Sequence, residues 1–497
     1  MTKRKALKVA IITSLVALLA LAAGVTATSA KSKGELPEYL GSKACLGCHV
    51  DKYGSWGESG HAHMVTQVFK PSDLPGDINT ASEEQKAELQ KAAWIVAGQR
   101  FLARDPNTGA LSYLNVRWDS AKQQYVSYKG GNNWETGCAG CHSTGWDKSI
   151  AEFAEPGIGC EMCHGPGRDH VLGKGDISLI TTTTNSAACG QCHNGSGKAA
   201  DGTGWPVGYH PSMESLEEAG FTYHKVDPEG PVPEYNKPKL RQYAMWEASA
   251  HAQAYTLTVD RNREYCMNCH TANATLMNWN GETYSIAEHG IDKNGVTCAV
   301  CHEPHNSTEP GQLRMEPQAL CISCHNVHGK DRPLTLVRPP HAPQAEMLGG
   351  YAAYDIPETK GAHSDLKCID CHMTEGNHMM KVIKPEDVIG TTRKDSCTKC
   401  HDNSSAESRD VYLSLWQESV SRRMEIIDAD VKVIEEVIKA NPNFFTKAQM
   451  DEYVKARANY WFVMKDHSKG AHNFEYAIKI LTKAQKDIAA FRKATGR

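Results

Sequence analysis

Hydrophobic positions along this chain form one strongly periodic end and a long middle with little period. From residue 406 onward they recur at spacings of three and four, with Trp416, Val420, Met424, Ile427, Val431, Ile434 and Ile438 on one stripe. That spacing predicts an amphipathic helix. Asn441-Pro442 ends it, because proline has no N–H to donate and its ring clashes with the preceding turn. Thr446 with Gln449 is a capping box that opens a second helix, and Asn473 stands where it caps a third. A C-terminal bundle over 406–497 follows, its stripe packing on the rest of the chain or facing a second subunit.

The other long apolar run is at the start, where Lys3, Arg4, Lys5 and Lys8 precede Val9 to Val25. This order reads as a secretory signal over 1–30, with small residues for cleavage at Val25-Thr26-Ala27 or Thr28-Ser29-Ala30. At roughly 17 residues the run also nears the length of a retained N-terminal anchor. The chain is therefore expected to be exported, to the periplasm first, with anchoring or transfer to the outer surface left open. Between these ends, residues 82–97 predict a short helix. Arg100 to Tyr128 alternates around Asp105-Pro106-Asn107-Thr108-Gly109, which predicts a small β meander. The expected fold class is mainly α and loop with little β structure.

Composition changes the picture, because 497 residues with 7% aromatics and 40% hydrophobics are a modest supply for a core of this size. The net charge of −4 gives no sign of a nucleic-acid partner. All 18 cysteines fall in nine Cys-x-x-Cys-His pentads. These are Cys45, Cys48 and His49; Cys138, Cys141 and His142; Cys160, Cys163 and His164; Cys189, Cys192 and His193; and Cys266, Cys269 and His270. Beyond them stand Cys298, Cys301 and His302; Cys321, Cys324 and His325; Cys368, Cys371 and His372; and Cys397, Cys400 and His401. Two thiols at this spacing add to the two vinyl groups of one haem, and the adjoining histidine reaches the iron. Zinc sites need no histidine at that place, and no cysteine is left for a disulfide or a nucleophile. Nine covalently attached haem c groups are expected, with their faces supplying much of the core.

Fourteen of the 23 histidines lie outside the pentads, more than nine irons need for a second axial ligand. Those on motifs are His61 or His63, His170, His251, His305, His363, His378 and His472. His210, His224, His289, His328 and His341 are weaker candidates, His467 is the weakest, and Met64 or Met245 is an alternative that would raise a haem's potential. Beyond a Pro-rich break at Val226 to Lys239 the chain repeats itself. Trp246-Glu247-Ala248-Ser249-Ala250-His251-Ala252 echoes Trp56 to Ala62, and the pentads at 266, 298 and 321 echo those at 138, 160 and 189. This divides the chain into a four-haem module (31–225), a linker (226–245), a five-haem module (246–405) and the helical bundle.

From Trp246 onward the chain resembles the pentahaem ammonia-forming nitrite reductases and the octahaem hydroxylamine oxidoreductases. The likeness rests on the order of the last five pentads, on Cys368-Ile369-Asp370-Cys371-His372-Met373 and on His472-Asn473 in a helical tail. It implies that His251, His363, His378 and His472 are distal ligands. Gly137 to Gly145 and Cys160 to His170 are similar to exported tetrahaem cytochromes of the c554 type. The departures bear on function. The lysine that often serves as proximal ligand of the catalytic haem is replaced by His270, and Asn326-Val327-His328 stands where the catalytic tyrosine belongs. Arg261 or Arg263 and His341 could match the remaining catalytic groups, or His341 closes that iron.

The expected function is electron carriage between a quinol oxidase or periplasmic donor and a terminal reductase or extracellular acceptor in anaerobic respiration, with redox proteins as partners. Two alternatives stay open. One is an oxidoreductase of small nitrogen or sulfur compounds, with Arg263 and His341 at the haem of His270 and Tyr460 a conceivable modifier. The other is a subunit of a cytochrome filament, or a homo-oligomer joined through the C-terminal helices.

Overall fold

A computed structural model of the chain describes residues 38–130, 134–147, 150, 152–194, 198–199, 215–218, 220–234, 241–256, 263–327 and 339–496. The signal-like run, His210, Arg261 and His328 lie outside the described residues. Helix and loop dominate, as the sequence predicts, with one sheet of five strands. These are β1 (Val65–Gln67), β2 (Trp94–Val96), β3 (Arg100–Arg104), β4 (Leu111–Asp119) and β5 (Gln124–Ser127), each antiparallel to the next. A register shift between Arg100 and Leu102 marks a bulge. On one face Leu102, Leu111 and Tyr113 pack on Trp134 and Ala139 beside the Cys138 pentad, while on the other Leu114, Val116 and Trp118 form a separate cluster with Phe101 and Tyr125.

The helix expected over 82–97 is shorter. It runs Glu83–Leu89 behind a Ser82–Gln85 capping box, and Trp94–Val96 is the central partner of β1 and β3 instead. Ile95 and Val96 are buried there, where β-branched side chains pack well on a pleated surface.

Among the described residues the middle of the chain holds only short helices, several of them built on a pentad, such as Cys160–His164, Glu264–His270 and Cys368–His372. Specific hydrogen bonds replace regular structure. Glu161, buried inside its own pentad, accepts from the backbone N–H groups of Leu40 (2.9 Å), Gly41 (2.7 Å) and Gly167 (2.7 Å). The sequence repeat is a structural one. The Trp56 indole donates to the Ile158 carbonyl at 2.8 Å and the Trp246 indole to that of Val296 at 2.7 Å. The backbone N–H groups of Ile158 and Val296 return to the carbonyls of His61 (3.0 Å) and His251 (2.9 Å). Glycine is required in both copies, since a Cβ on Gly157 or Gly295 would stand 2.8 or 2.4 Å from the carbonyl oxygen of Ala62 or Ala252.

The C-terminal helices are α1 (Ala406–Ala440), α2 (Lys447–Asp466) and α3 (Phe474–Ala494). Thr446 and Gln449 form the expected capping box, and the Asn473 side chain accepts from the Tyr476 N–H. Val420, Ile427, Val431 and Ile434 of the stripe are buried with Tyr453, Tyr460, Ile480, Leu481 and Ile488. These stripe positions thus pack within the bundle rather than against a second subunit, and each fully buried isoleucine contributes about 1.5–3 kcal/mol. Tyr460 is buried in this cluster and donates to Asp428 at 3.2 Å.

Candidate functional site

A single continuous cavity of about 2860 Å³ runs through the chain, lined by residues from His61 to His472 and by cysteines or histidines of eight of the nine pentads. No disulfide joins any of the 18 cysteines. Among the described residues no three His, Cys, Asp or Glu side chains converge as a metal ion alone would need. The histidines stand instead in opposed pairs. Ring centroids are 6.4 Å apart for His49 and His170, 6.1 Å for His164 and His305, and 6.0 Å for His325 and His251. They are 6.1 Å apart for His270 and His341, 6.4 Å for His302 and His378, 6.2 Å for His372 and His472, and 6.3 Å for His401 and His363.

In every one of these seven pairs one member belongs to a pentad and the other does not. A metal–imidazole bond is about 2 Å and the ring centroid lies about 1 Å further back, so two imidazoles on opposite faces of one iron stand about 6 Å apart. The residues present fit haem c.

Hydrogen bonds at Nδ1 aim these rings. His164, His302 and His372 face the carbonyls of Thr181 (2.7 Å), Gly311 (2.7 Å) and Met380 (2.9 Å). Across the pairs, His305 meets the Glu303 carboxylate at 2.9 Å, and Glu303 also pairs with Arg314 at 2.5 Å. His305 and then Arg314 hold that carboxyl down at about 2 against the opposing cost of burial. His472 meets the buried Asp466 at 2.5 Å. Trp416 reaches over His363, with ring centroids 6.4 Å apart.

Two pentad histidines remain. His61 lies near enough to His193 to feel its charge, and burial first, then that charge, holds His61 below its ordinary value. His63 is exposed. Burial, then the nearby Arg100, pushes His142 down to about 4. Arg263 is exposed at the start of its helix.

Thiols of different pentads touch in a repeating pattern. First cysteines meet first cysteines: Cys45 with Cys160, Cys189 with Cys298, and Cys321 with Cys368. At each of these junctions the residue three before one pentad accepts from the first N–H of the next. Ser42 accepts from Cys160 at 2.8 Å, Ser186 from Cys298 at 3.0 Å and Gln318 from Cys368 at 2.9 Å. Second cysteines meet second cysteines twice, Cys141 with Cys192 and Cys269 with Cys324. Electrostatic contact then joins Cys163 to Cys189 and Cys192, Cys301 to Cys321 and Cys324, and Cys371 to Cys397 and Cys400. Together these links connect all nine pentads.

Three family patterns match parts of the chain: cytochrome c552 over residues 350–495, a doubled Cys-x-x-Cys-His motif over 289–330, and cytochrome c554 and c-prime over 109–165. The multiheme cytochrome MtrA of Shewanella baltica (strain OS185) is 21% identical over 262 residues. That match covers 49% of this chain and 66% of the relative, just under two thirds of its length. Among solved structures, the outer cell wall cytochrome OcwA is 27% identical with a TM-score of 0.76, covering 91% of this chain and 100% of its own. The undecaheme cytochrome from the S-layer of Carboxydothermus ferrireducens is 22% identical with a TM-score of 0.61, covering 92% and 70%. This chain is a multihaem c-type cytochrome.

Haem c supplies this cytochrome with irons that take and give one electron, and the protein's part is to hold and tune them. Sequence reasoning missed the tuning groups. Asp466, Glu303 and the residues three before Cys45, Cys189 and Cys321 carry no motif of their own, although the last position could have been found by aligning the pentads. A carboxylate on Nδ1 makes an imidazole a stronger donor, which favours ferric iron and lowers the potential. Asp466→Asn is therefore expected to raise one haem's midpoint potential by about 60 mV, a tenfold change for one electron. A spectropotentiometric titration reads it as one component moving upward.

Proposed function

We propose that this is an exported cytochrome holding nine haems that carries electrons from a respiratory donor to an acceptor outside the cell. The observation that carries the reading is the continuity of the pentads. A trunk runs through those at 45, 160, 189, 298, 321, 368 and 397, with the pentads at 138 and 266 as side branches on 189 and 321. A wire works best when each iron is six-coordinate, because little rearranges during transfer. The seven histidine pairs fit that requirement, with His170, His305, His251, His341, His378, His472 and His363 as distal ligands and His61 serving His193.

The likeness to an outer cell wall cytochrome over the whole of that protein supports an acceptor at the cell surface. Among the described residues no helix is long and apolar enough to cross a membrane. The four-haem and five-haem modules are coupled across 226–245 by the pair His164 and His305 and by the contact of Cys189 with Cys298. The alternative reductase site finds little footing. His341 faces His270, and Arg263 is exposed at a helix start.

The haem-loaded protein, reduced chemically and mixed with an insoluble ferric oxide, is expected to be reoxidised in all its haems. A fully reduced protein that stays reduced in contact with the oxide would sink the reading.

A further inference from the structure

The internal duplication makes the site at Cys138 the counterpart of the site at Cys266. Each opens a triplet, and each joins the trunk through its second cysteine, Cys141 to Cys192 and Cys269 to Cys324. The counterparts differ across the iron. His270 has His341 at 6.1 Å and an Nδ1 contact with the Ala254 carbonyl at 3.3 Å. His142 has no imidazole facing it among the described residues, and its buried Nδ1 has no hydrogen-bond partner there.

What stands near His142 is Arg100, whose charge acts on the ring and which lines the cavity with Met64, Ala97 and Cys141. Among the described residues Arg100 has no carboxylate partner. Its guanidinium lies 5.9 Å from the ring centre of Tyr113 and 5.3 Å from that of Tyr128. Behind His142 stands Trp134, whose side chain is fully buried, whose ring lies 6.3 Å from His142 and whose Nε1 has no acceptor among the described residues. Arg100 is exposed, so its guanidinium is open to an anion entering the cavity it lines, and a charge-assisted hydrogen bond to that anion is stronger than a neutral one.

We propose that the iron held by His142 keeps its second axial position for a small monovalent anion, and that Arg100 holds that anion's charge. Ferric iron and guanidinium together favour a negative ligand, and the planar fork of arginine can donate to it with two N–H groups. The proposal rests on the haem reading of the Cys138 pentad, which a haem count tests separately.

The test is electron paramagnetic resonance of the full-length, haem-loaded ferric protein, with azide as the probe. One high-spin iron is expected beside the low-spin ones, and azide should convert it to low spin. Cys138→Ser with Cys141→Ser should remove one haem and the high-spin signal together; a high-spin signal that survives overturns the assignment. Arg100→Gln should keep the signal and weaken azide by at least about tenfold, as loss of a charge-assisted hydrogen bond does, while carbon monoxide binds the ferrous iron unchanged. Arg100→Lys, which keeps the charge beside Tyr113, should recover most of the azide affinity and guards against a glutamine variant that misfolds.

Only low-spin signals in the unmodified protein would overturn the proposal. A high-spin signal appearing in Met64→Leu would then name Met64 as the ligand that closes the iron. Azide affinity indifferent to Arg100→Gln would equally overturn it.

Discussion

Replacing Cys298 and Cys301 with serine is expected to leave a cytochrome that holds one haem fewer and no longer passes electrons from one end to the other. The Cys298 pentad joins the halves of the trunk. On one side Cys298 touches Cys189, and on the other Cys301 is coupled to Cys321 and Cys324. The comparison that gives the experiment its force is Cys138→Ser with Cys141→Ser. That variant also loses one haem, but from a side branch. Haem content should fall equally in both, by one haem. End-to-end transfer, followed by stopped-flow reoxidation on ferric oxide, should collapse by orders of magnitude only in the first. Equal behaviour of the two variants would mean that the trunk is not the path.

Asp395→Asn is expected to cost about 3–5 kcal/mol, because it leaves Arg409 charged without its partner. The carboxylate side chain is fully buried and the guanidinium nearly so, at 0% and 11% exposure, with 2.6 Å between them. Asp395 also accepts from the N–H groups of Cys397 (2.8 Å) and Thr398 (3.0 Å), so it clamps the last pentad to the first turn of α1. An asparagine oxygen can still accept from those two N–H groups, so the variant isolates the ion pair. Adding Arg409→Met should recover much of the loss, since no uncompensated charge then remains.

The pH dependence has a definite sign. The Asp395 carboxyl lies below its ordinary value, with the Arg409 and backbone hydrogen bonds outweighing the opposing effect of burial. Its contribution is therefore present above the unfolded value of about 3.9 and is lost as the pH falls from there through the lowered native value. Guanidinium unfolding at neutral and acidic pH checks both points. An unchanged midpoint for Asp395→Asn at pH 7 would remove the clamp from the argument.

Much of this protein is legible along the chain. The nine pentads are local chemistry, since two thiols and an imidazole within five residues are enough to attach a haem wherever the backbone runs. The helices of the C-terminal bundle, with their caps at Thr446, Gln449 and Asn473, are equally local, because a period near 3.6 and a capping side chain act within one element. The duplication shows directly in Trp56 to Ala62 and Trp246 to Ala252.

Only the tertiary structure decided which imidazole faces which. His49 meets His170 within the first half, yet His164 reaches across the linker to His305, and His363 meets His401 rather than the pentad that follows it. A distal ligand is chosen by where two distant loops converge on opposite faces of one haem, and no periodicity encodes that meeting. The order of the trunk has the same origin, because it depends on thiols from separate pentads coming into contact. So does the difference between His142 and His270, which the sequence writes with the same five-residue motif and the fold places in unlike surroundings.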